Sequence, residues 1–331
     1  MKIVLSGIKP TGIPTLGNYL GALKNFVALQ NQMSDYEFLL FVADYHAITV
    51  YQNPKELSQN IKNVAALYLA CGLNTDNLTL FIQSEVNQHV ELGYIMQATA
   101  YMGELERMTQ YKDKVQKQEQ SISSALFTYP TLMAADILLY NASFVPVGDD
   151  QLQHLELTRN LANRFNHRYG KTFVVPEPLI SKKGARIMDL QNPNKKMDKS
   201  DMDNKGCIFL LEPINSIKKK IKSAVTDSDA KVYYDKTNKP GISNLMTIYA
   251  TITNKTFDEI EQSYDGKGYG DFKSDLADIV ASEIEKIQTA YNQWIDSAEL
   301  NQILDEGKAR AHMFAESHLK KIRKKIGLVR N

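Results

Sequence analysis

The sequence predicts an α/β protein in which a Rossmann-like parallel sheet carries the chemistry and a second, all-helical domain follows. Three observations lead there. Short apolar runs alternate with helical patterns through the first half of the chain, a strand, loop and helix start sit together at the amino end, and strand signals fade after residue 206. The chain of 331 residues is also longer than one core usually sustains, since single cores seldom grow past about 250 to 300 residues.

Taken in order, Ile3-Val4-Leu5 is the first strand and Ser6-Gly7-Ile8-Lys9-Pro10-Thr11-Gly12 a punctuated loop. Thr15 is a natural N-cap for a helix with apolar residues at Leu16, Leu20, Leu23 and Val27. Gly17 and Asn18 then fall in the first turn, where backbone N–H groups and the positive end of the helix dipole attract anions. Phe38–Val42, Leu78–Ile82 and Phe144–Val147 are continuous apolar runs, as expected of strands buried on both faces, and the segment 54 to 71 opens on Pro54 and stops before Gly72. Ligands in such sheets bind outside the carboxyl ends of the strands, which puts the loops 6 to 18, 43 to 46 and 148 to 151 at the site.

Farther on, Tyr129, Met133, Asp136 and Tyr140 share one face if their segment is helical. Asp136 lies inside the apolar stretch Leu132–Leu139, and a carboxylate there is costly unless a donor meets it. The donor could come from a ligand, from a helix end that the carboxylate caps, or from an arginine. Lys196-Met197-Asp198-Lys199-Ser200 sets two lysines three apart on a polar loop, able to swing onto a polyphosphate. Beyond it, Leu276, Val280, Ile284, Ile287, Tyr291 and Trp294 form one stripe of a long helix. Gly266-Lys267-Gly268-Tyr269-Gly270 precedes that helix without a strand and reads as a loop or hinge.

Composition narrows the classes. Net charge is +1, yet Lys218, Lys219, Lys220 and Lys222 cluster, and residues 316 to 331 hold six Lys/Arg against the single Glu316. Such local basic faces are either solvated helix surfaces or an RNA-holding surface. Cys71 and Cys207 are far apart, which fits a reducing compartment without a disulfide, and the six histidines show no metal-ligand spacing. No run of about 18 apolar residues occurs, so a soluble cytoplasmic protein with no membrane contact is expected. Neither GxGxxG nor GxxxxGK[ST] follows the strands, which disfavours NAD enzymes and P-loop ATPases.

Thr15-Leu16-Gly17-Asn18 and Lys196–Ser200 resemble the two signature motifs of class I aminoacyl-tRNA synthetases. With Ser6–Gly12, Gly103-Glu104-Leu105-Glu106-Arg107-Met108, Leu132–Leu138, Val147-Gly148-Asp149-Asp150-Gln151, Gly184-Ala185-Arg186-Ile187-Met188 and Pro240-Gly241-Ile242-Ser243-Asn244-Leu245, the chain is similar to the bacterial tryptophanyl-tRNA synthetases over nearly its whole length. The resemblance implies a ligase that uses ATP to activate L-tryptophan and passes it to tRNA(Trp), working as a homodimer. It implies a catalytic domain over residues 1 to 205, with a helical insertion near 85 to 128 at the dimer contact. Residues 206 to 331 would then be the anticodon-binding helical domain, with its basic C-terminal helix.

For the site, the resemblance implies Lys196, Lys199, Thr15 and Asn18 as the catalytic set. ATP would meet Lys9, Pro10, Thr11, Gly17, Asn18, Gly148, Asp149, Asp150, Ile187, Lys196, Met197, Asp198, Lys199 and Ser200. Tryptophan would meet Asp136, Tyr129, Met133, Gln151, Gly7, His46 and Leu5. Mg²⁺ would travel with ATP and not on protein ligands. An indole N–H only donates and a carboxylate only accepts, so Asp136 suits the ring nitrogen. Asp198, Lys9 and Leu5 depart from the usual serine, glutamine and phenylalanine. Tyrosyl-tRNA synthetase, a nucleotidylyltransferase and an inactive synthetase-like RNA-binding regulator are the competing readings.

Overall fold

The computed structural model describes residues 2 to 112, 123 to 148, 151 to 179, 185 to 198 and 205 to 330. Asp149, Asp150, Lys199 and Ser200 lie outside the described residues, as does part of the segment 85 to 128.

Five parallel strands form one sheet in the order β3-β2-β1-β4-β5, with β1 Ile3–Ile8, β2 Glu37–Val42, β3 Leu78–Ile82, β4 Phe144–Pro146 and β5 Glu177–Leu179. The register pairs Val4 with Phe38 and Phe38 with Leu78, so β1, β2 and β3 are aligned across the sheet. Side chains leave the strands alternately to two cores. Val4, Phe38, Leu40, Leu78 and Leu80 enter one, and Ile3, Leu5, Leu39, Phe41 and Phe81 the other. Both faces are covered, which is why these strands read as unbroken apolar runs. The one strand missed in the sequence is β5. It has three residues, contains Pro178, and sits at the sheet edge where proline is tolerated.

The first crossover begins with α1 (Leu16–Asn18), passes through a π-turn at Tyr19–Leu23 and continues as α2 (Lys24–Gln32). Short α3 (Asp44–Ala47) follows β2, and α4 (Pro54–Ala70) carries its proline at the first turn, is capped by Asn53, and stops where Gly72 takes φ +98°. On the other face lie α5 (Gln88–Thr99), α6 (Met102–Glu106), α7 (Ser124–Leu138) and α8 (Leu152–Tyr169).

After residue 206 no further strand occurs among the described residues. Helices α9 (Ile214–Lys222), α10 (Pro240–Thr253), α11 (Phe257–Ser263) and α12 (Tyr269–Trp294) share the first core with β1, β2 and α4. The last helix, α13 (Ala298–Ile326), runs along edge strand β3. Its Leu300 and Leu304 belong to one core and its Ala311, Ala315, Leu319 and Ile322 to the other. Gly307 stands at the crossing. A β-carbon there would lie 1.8 Å from the Leu80 carbonyl oxygen, so only glycine lets helix and strand backbone touch.

Gly307→Ala is therefore expected to lower the melting temperature by several degrees through overpacking of about 1 to 3 kcal/mol. Gly270→Ala, where a β-carbon meets nothing within 4 Å, is the control and should leave it nearly unchanged. Equal melting temperatures for Gly307→Ala and wild type would contradict the edge contact.

Candidate active site

A cavity of about 250 Å³ opens at the carboxyl ends of β1, β2 and β4. Leu5, Gly7, His46, Tyr129, Met133, Asp136 and Gln151, seven residues singled out in the sequence, all line it, together with Phe41, Ile137, Val145 and Val147. Lys9 is there too, its ammonium 5.5 Å from the centre of the Tyr129 ring. Gly7 keeps the floor low: a β-carbon would fall 2.7 Å from the Phe41 ring. The walls are apolar or aromatic with a few polar groups converging on one end, the usual build of a small-molecule site.

Asp136 is that polar end. It is 2 % exposed, yet three donors reach it from three elements. Gln83 Nε2 and His89 Nδ1 both donate to its Oδ1 at 2.7 Å, and His46 Nε2 donates to its Oδ2 at 2.7 Å. Burial works against ionisation, but the hydrogen bonds from His46 and His89 outweigh it and hold the carboxyl below its ordinary value. It neither caps a helix nor meets an arginine; histidines take that place. Tyr140 lies just past the end of α7 and behind Asp136, where its hydroxyl is 2.8 Å from His89 Nε2. It therefore backs the network and is not among the residues lining the cavity. The Tyr129 hydroxyl donates to Gln110 Oε1 at 3.0 Å and lies 2.6 Å from His154 Nε2, and burial raises its pKa, which keeps the phenol protonated.

The second half of the site surrounds the start of α1. Thr15 is fully buried and closes a capping box: the Asn18 amide donates to Thr15 Oγ1, while Asn18 Oδ1 accepts from the Thr15 amide. The Leu16 amide donates to the Ile208 carbonyl at 2.8 Å. Of the first three helical amides, only that of Gly17 lacks a partner among the described residues, so the anion-binding end of this helix is narrower than its sequence suggests. Gly17 faces Ile187 and Met197, each with its Cβ 3.6 Å from where a glycine side chain would begin.

Lys196 is fixed at its base. Met188 and Lys196 form an antiparallel bridge, the Met197 amide donates to the Ile187 carbonyl at 3.1 Å, and Met197 is buried. From α10, Asn244 clamps this hairpin by accepting from the Met188 amide at 2.8 Å and donating to the Met188 carbonyl at 2.9 Å. Gly148 accepts from the Gln151 amide at 2.9 Å, joining the loop after β4 to the start of α8. No group of three or more His, Cys, Asp or Glu able to hold a metal ion occurs among the described residues.

Sequence reasoning missed Gln83, His89, Phe41, Val147 and Asn244. Gln83 could have been found, because it directly follows β3 at the carboxyl edge of the sheet. His89 sits on an α5 whose pattern carries no signal of a site. Asn244 was quoted within a motif but given no role, since its partner is a backbone over fifty positions away.

Asn244→Ala removes both bonds to Met188 and leaves half-buried backbone groups unmet, an expected loss of about 1 to 2 kcal/mol. Amide exchange at Met188 and Met197 should accelerate at the same time. Unchanged exchange at both amides would show that the hairpin holds itself.

Residues 1 to 285 match the family model described as tRNA synthetases class I (W and Y). A tryptophan–tRNA ligase of Oceanobacillus iheyensis is 57 % identical over 330 residues, covering 100 % of both chains. The crystal structure of tryptophanyl-tRNA synthetase from Mycoplasma pneumoniae superposes with a TM-score of 0.90 at 36 % identity, over 99 % of this chain and 98 % of that one. The Campylobacter jejuni enzyme, solved with ADP and tryptophan, gives 0.83 at 35 % identity, over 99 % and 100 %.

Proposed function

The chain belongs to the class I tRNA synthetases of the tryptophan and tyrosine branch, and we propose that it is the ATP-dependent ligase that joins L-tryptophan to tRNA(Trp). The observation that carries the choice of amino acid is Asp136, an ionised acceptor at the closed end of an apolar cavity. The tyrosine reading needs the same fold but gains nothing from the relatives at 55 to 57 % identity, which are tryptophan–tRNA ligases. An inactive regulator would not require a buried charge kept ionised by three donors.

In this reading the indole ring lies between Leu5, Phe41, Met133 and Val147, with its N–H on Asp136, and Tyr129 and Gln151 meet the α-amino group. Lys9, Pro10 and Thr11 border the ATP. The α-carboxylate of tryptophan then attacks the α-phosphate of ATP, forming the acyl–phosphate bond of tryptophanyl-adenylate as the bond to pyrophosphate breaks. The Gly17 amide and the cap formed by Thr15 and Asn18 position the phosphates or the adjoining ribose. Ile187 offers backbone to adenine, Met197 and Asp198 border the nucleotide, and Gly148, Asp149 and Asp150 take the ribose. Lys196 and Lys199, with Ser200 beside them, neutralise charge on the departing pyrophosphate, so catalysis rests on position and electrostatics. Among the described residues no cluster of three or more His, Cys, Asp or Glu stands near α1 and Lys196, which suits Mg²⁺ carried by ATP oxygens and water. The ion would screen phosphate charge.

We assign activation to residues 1 to 205 and anticodon recognition to 206 to 331. Within the basic clusters, Lys220 pairs with Glu212 and Lys218 with Asp278, Arg323 is held by Glu91 and Glu316, and Lys325 donates to the Gly170 and Lys171 carbonyls. Exposed Lys219, Lys222, Lys320, Lys321 and Lys324 are the better phosphate contacts. A homodimer is supported by Val90, Tyr94, Tyr101 and Met102, large apolar side chains left exposed along α5 and the start of α6. The proposed compartment is the cytoplasm, where charged tRNA is used, and no helix among the described residues is long and apolar enough to cross a membrane.

Pyrophosphate exchange into ATP, run with all twenty amino acids, should respond to tryptophan and fall steeply for Asp136→Ala. A response to tyrosine instead, or to none, would refute the assignment. Replacing Lys320, Lys321 and Lys324 with alanine should leave that exchange intact and lower the log–log salt slope of tRNA binding by about one per lost phosphate contact. An unchanged slope would return these lysines to a solvated face.

A further inference from the structure

An ionised carboxylate offers about four lone-pair sites, two on each oxygen. At Asp136 both sites of Oδ1 are filled, by Gln83 Nε2 and His89 Nδ1, and one of Oδ2 by His46 Nε2. One site on Oδ2 remains, and Asp136 lines the cavity. The carboxylate is thus an acceptor with a single vacancy.

The filling of Oδ1 is firmly imposed. His89 is fully buried and surrounded by the rings of Phe41, Phe81 and Tyr140, with centroids 5.8, 5.9 and 5.4 Å away. A carboxylate cannot donate, so His89 Nδ1 carries a proton toward Oδ1, and at the other end of the ring Nε2 lies 2.8 Å from the Tyr140 hydroxyl. Burial raises the Tyr140 pKa well above its ordinary value, so the hydroxyl keeps its proton and the ring is held at both nitrogens. Gln83 is also fully buried, and its own Oε1 finds no partner among the described residues. A buried amide oxygen left unmet is a cost, retained here while the other end of the amide serves Asp136.

We propose that His89, oriented by Tyr140, and Gln83 are positioning residues for amino-acid specificity: by occupying Oδ1 they turn Asp136 so that one lone pair of Oδ2 faces the ring N–H of the substrate. The inference rests on the reading of Asp136 as the indole acceptor. Neither side chain touches the substrate. Their effect is confined to a donor on the ring, and the ring's apolar surface is indifferent to it.

The test compares tryptophan with the analogue in which sulfur replaces the indole nitrogen, which has nearly the same shape but no donor. Wild type should prefer tryptophan strongly in kcat/KM for pyrophosphate exchange. In His89→Leu, and separately in Gln83→Met, KM for tryptophan should rise about tenfold or more, as expected for a lost charge-assisted hydrogen bond, while the sulfur analogue and ATP keep their KM values within about twofold. His89→Asn, which retains a donor near the Nδ1 position, should recover most of the preference. If either leucine or methionine variant folds poorly, the other carries the comparison, since they lie on different elements. Equal weakening of tryptophan and the analogue, or preservation of the wild-type ratio in both variants, overturns this inference alone. A wild type that fails to distinguish the two substrates overturns the reading of Asp136 and this inference with it.

Discussion

A single negative charge, buried in the apolar end of a helix, organises the amino-acid half of this molecule. Asp136 on α7 is tolerable only because α3 brings His46, the turn after β3 brings Gln83, and α5 brings His89. The donors come from two crossovers of the sheet, His46 from that between β2 and β3 and both Gln83 and His89 from that between β3 and β4, so the carboxylate is satisfied only when both are in place. The same requirement fixes the depth of the cavity, because the helix cannot slide or turn without breaking a 2.7 Å bond. Local chemistry and global topology are here one constraint.

The nucleotide half rests on backbone. Thr15 and Asn18 cap each other, Leu16 is tied to Ile208, and Met188 is clamped by Asn244. Ile208 and Asn244 belong to the part of the chain after residue 206, so the helical region does more than present a surface to RNA. It holds the loop that carries Lys196. Tyr19 in the π-turn extends this link, donating to Glu283 on α12 at 2.6 Å.

Much of this was legible in the sequence. Four strands, the cap at Thr15, the proline start and glycine stop of α4 and the stripe on α12 each leave a local pattern, because each follows from periodicity or from a residue's own backbone preference. β5 left none, being three residues long with a proline. The seven residues of the amino-acid cavity, His46 among them, were read from motifs, but the other two donors that make Asp136 affordable were not. Gln83 and His89 reach it from 53 and 47 positions away in the chain, and a glutamine or histidine in isolation is more often a packed side chain than part of a network. The sharing of one core by β1, α4 and α12 was equally hidden, since sequence segments show where apolar faces are and not which faces meet.

The passage of α13 along β3 bears on how the chain is made. β3 is one of the two margins of the sheet, and its cover comes from residues 298 to 326, far later in the chain than the strand they protect. Until those residues are made the nascent chain holds its sheet with the β3 margin unpaired, the kind of template that recruits strands from other chains. A polypeptide released before residue 298 would keep the residues of its amino-acid cavity and still present an adhesive edge, so quality control of truncated products has a specific feature to detect.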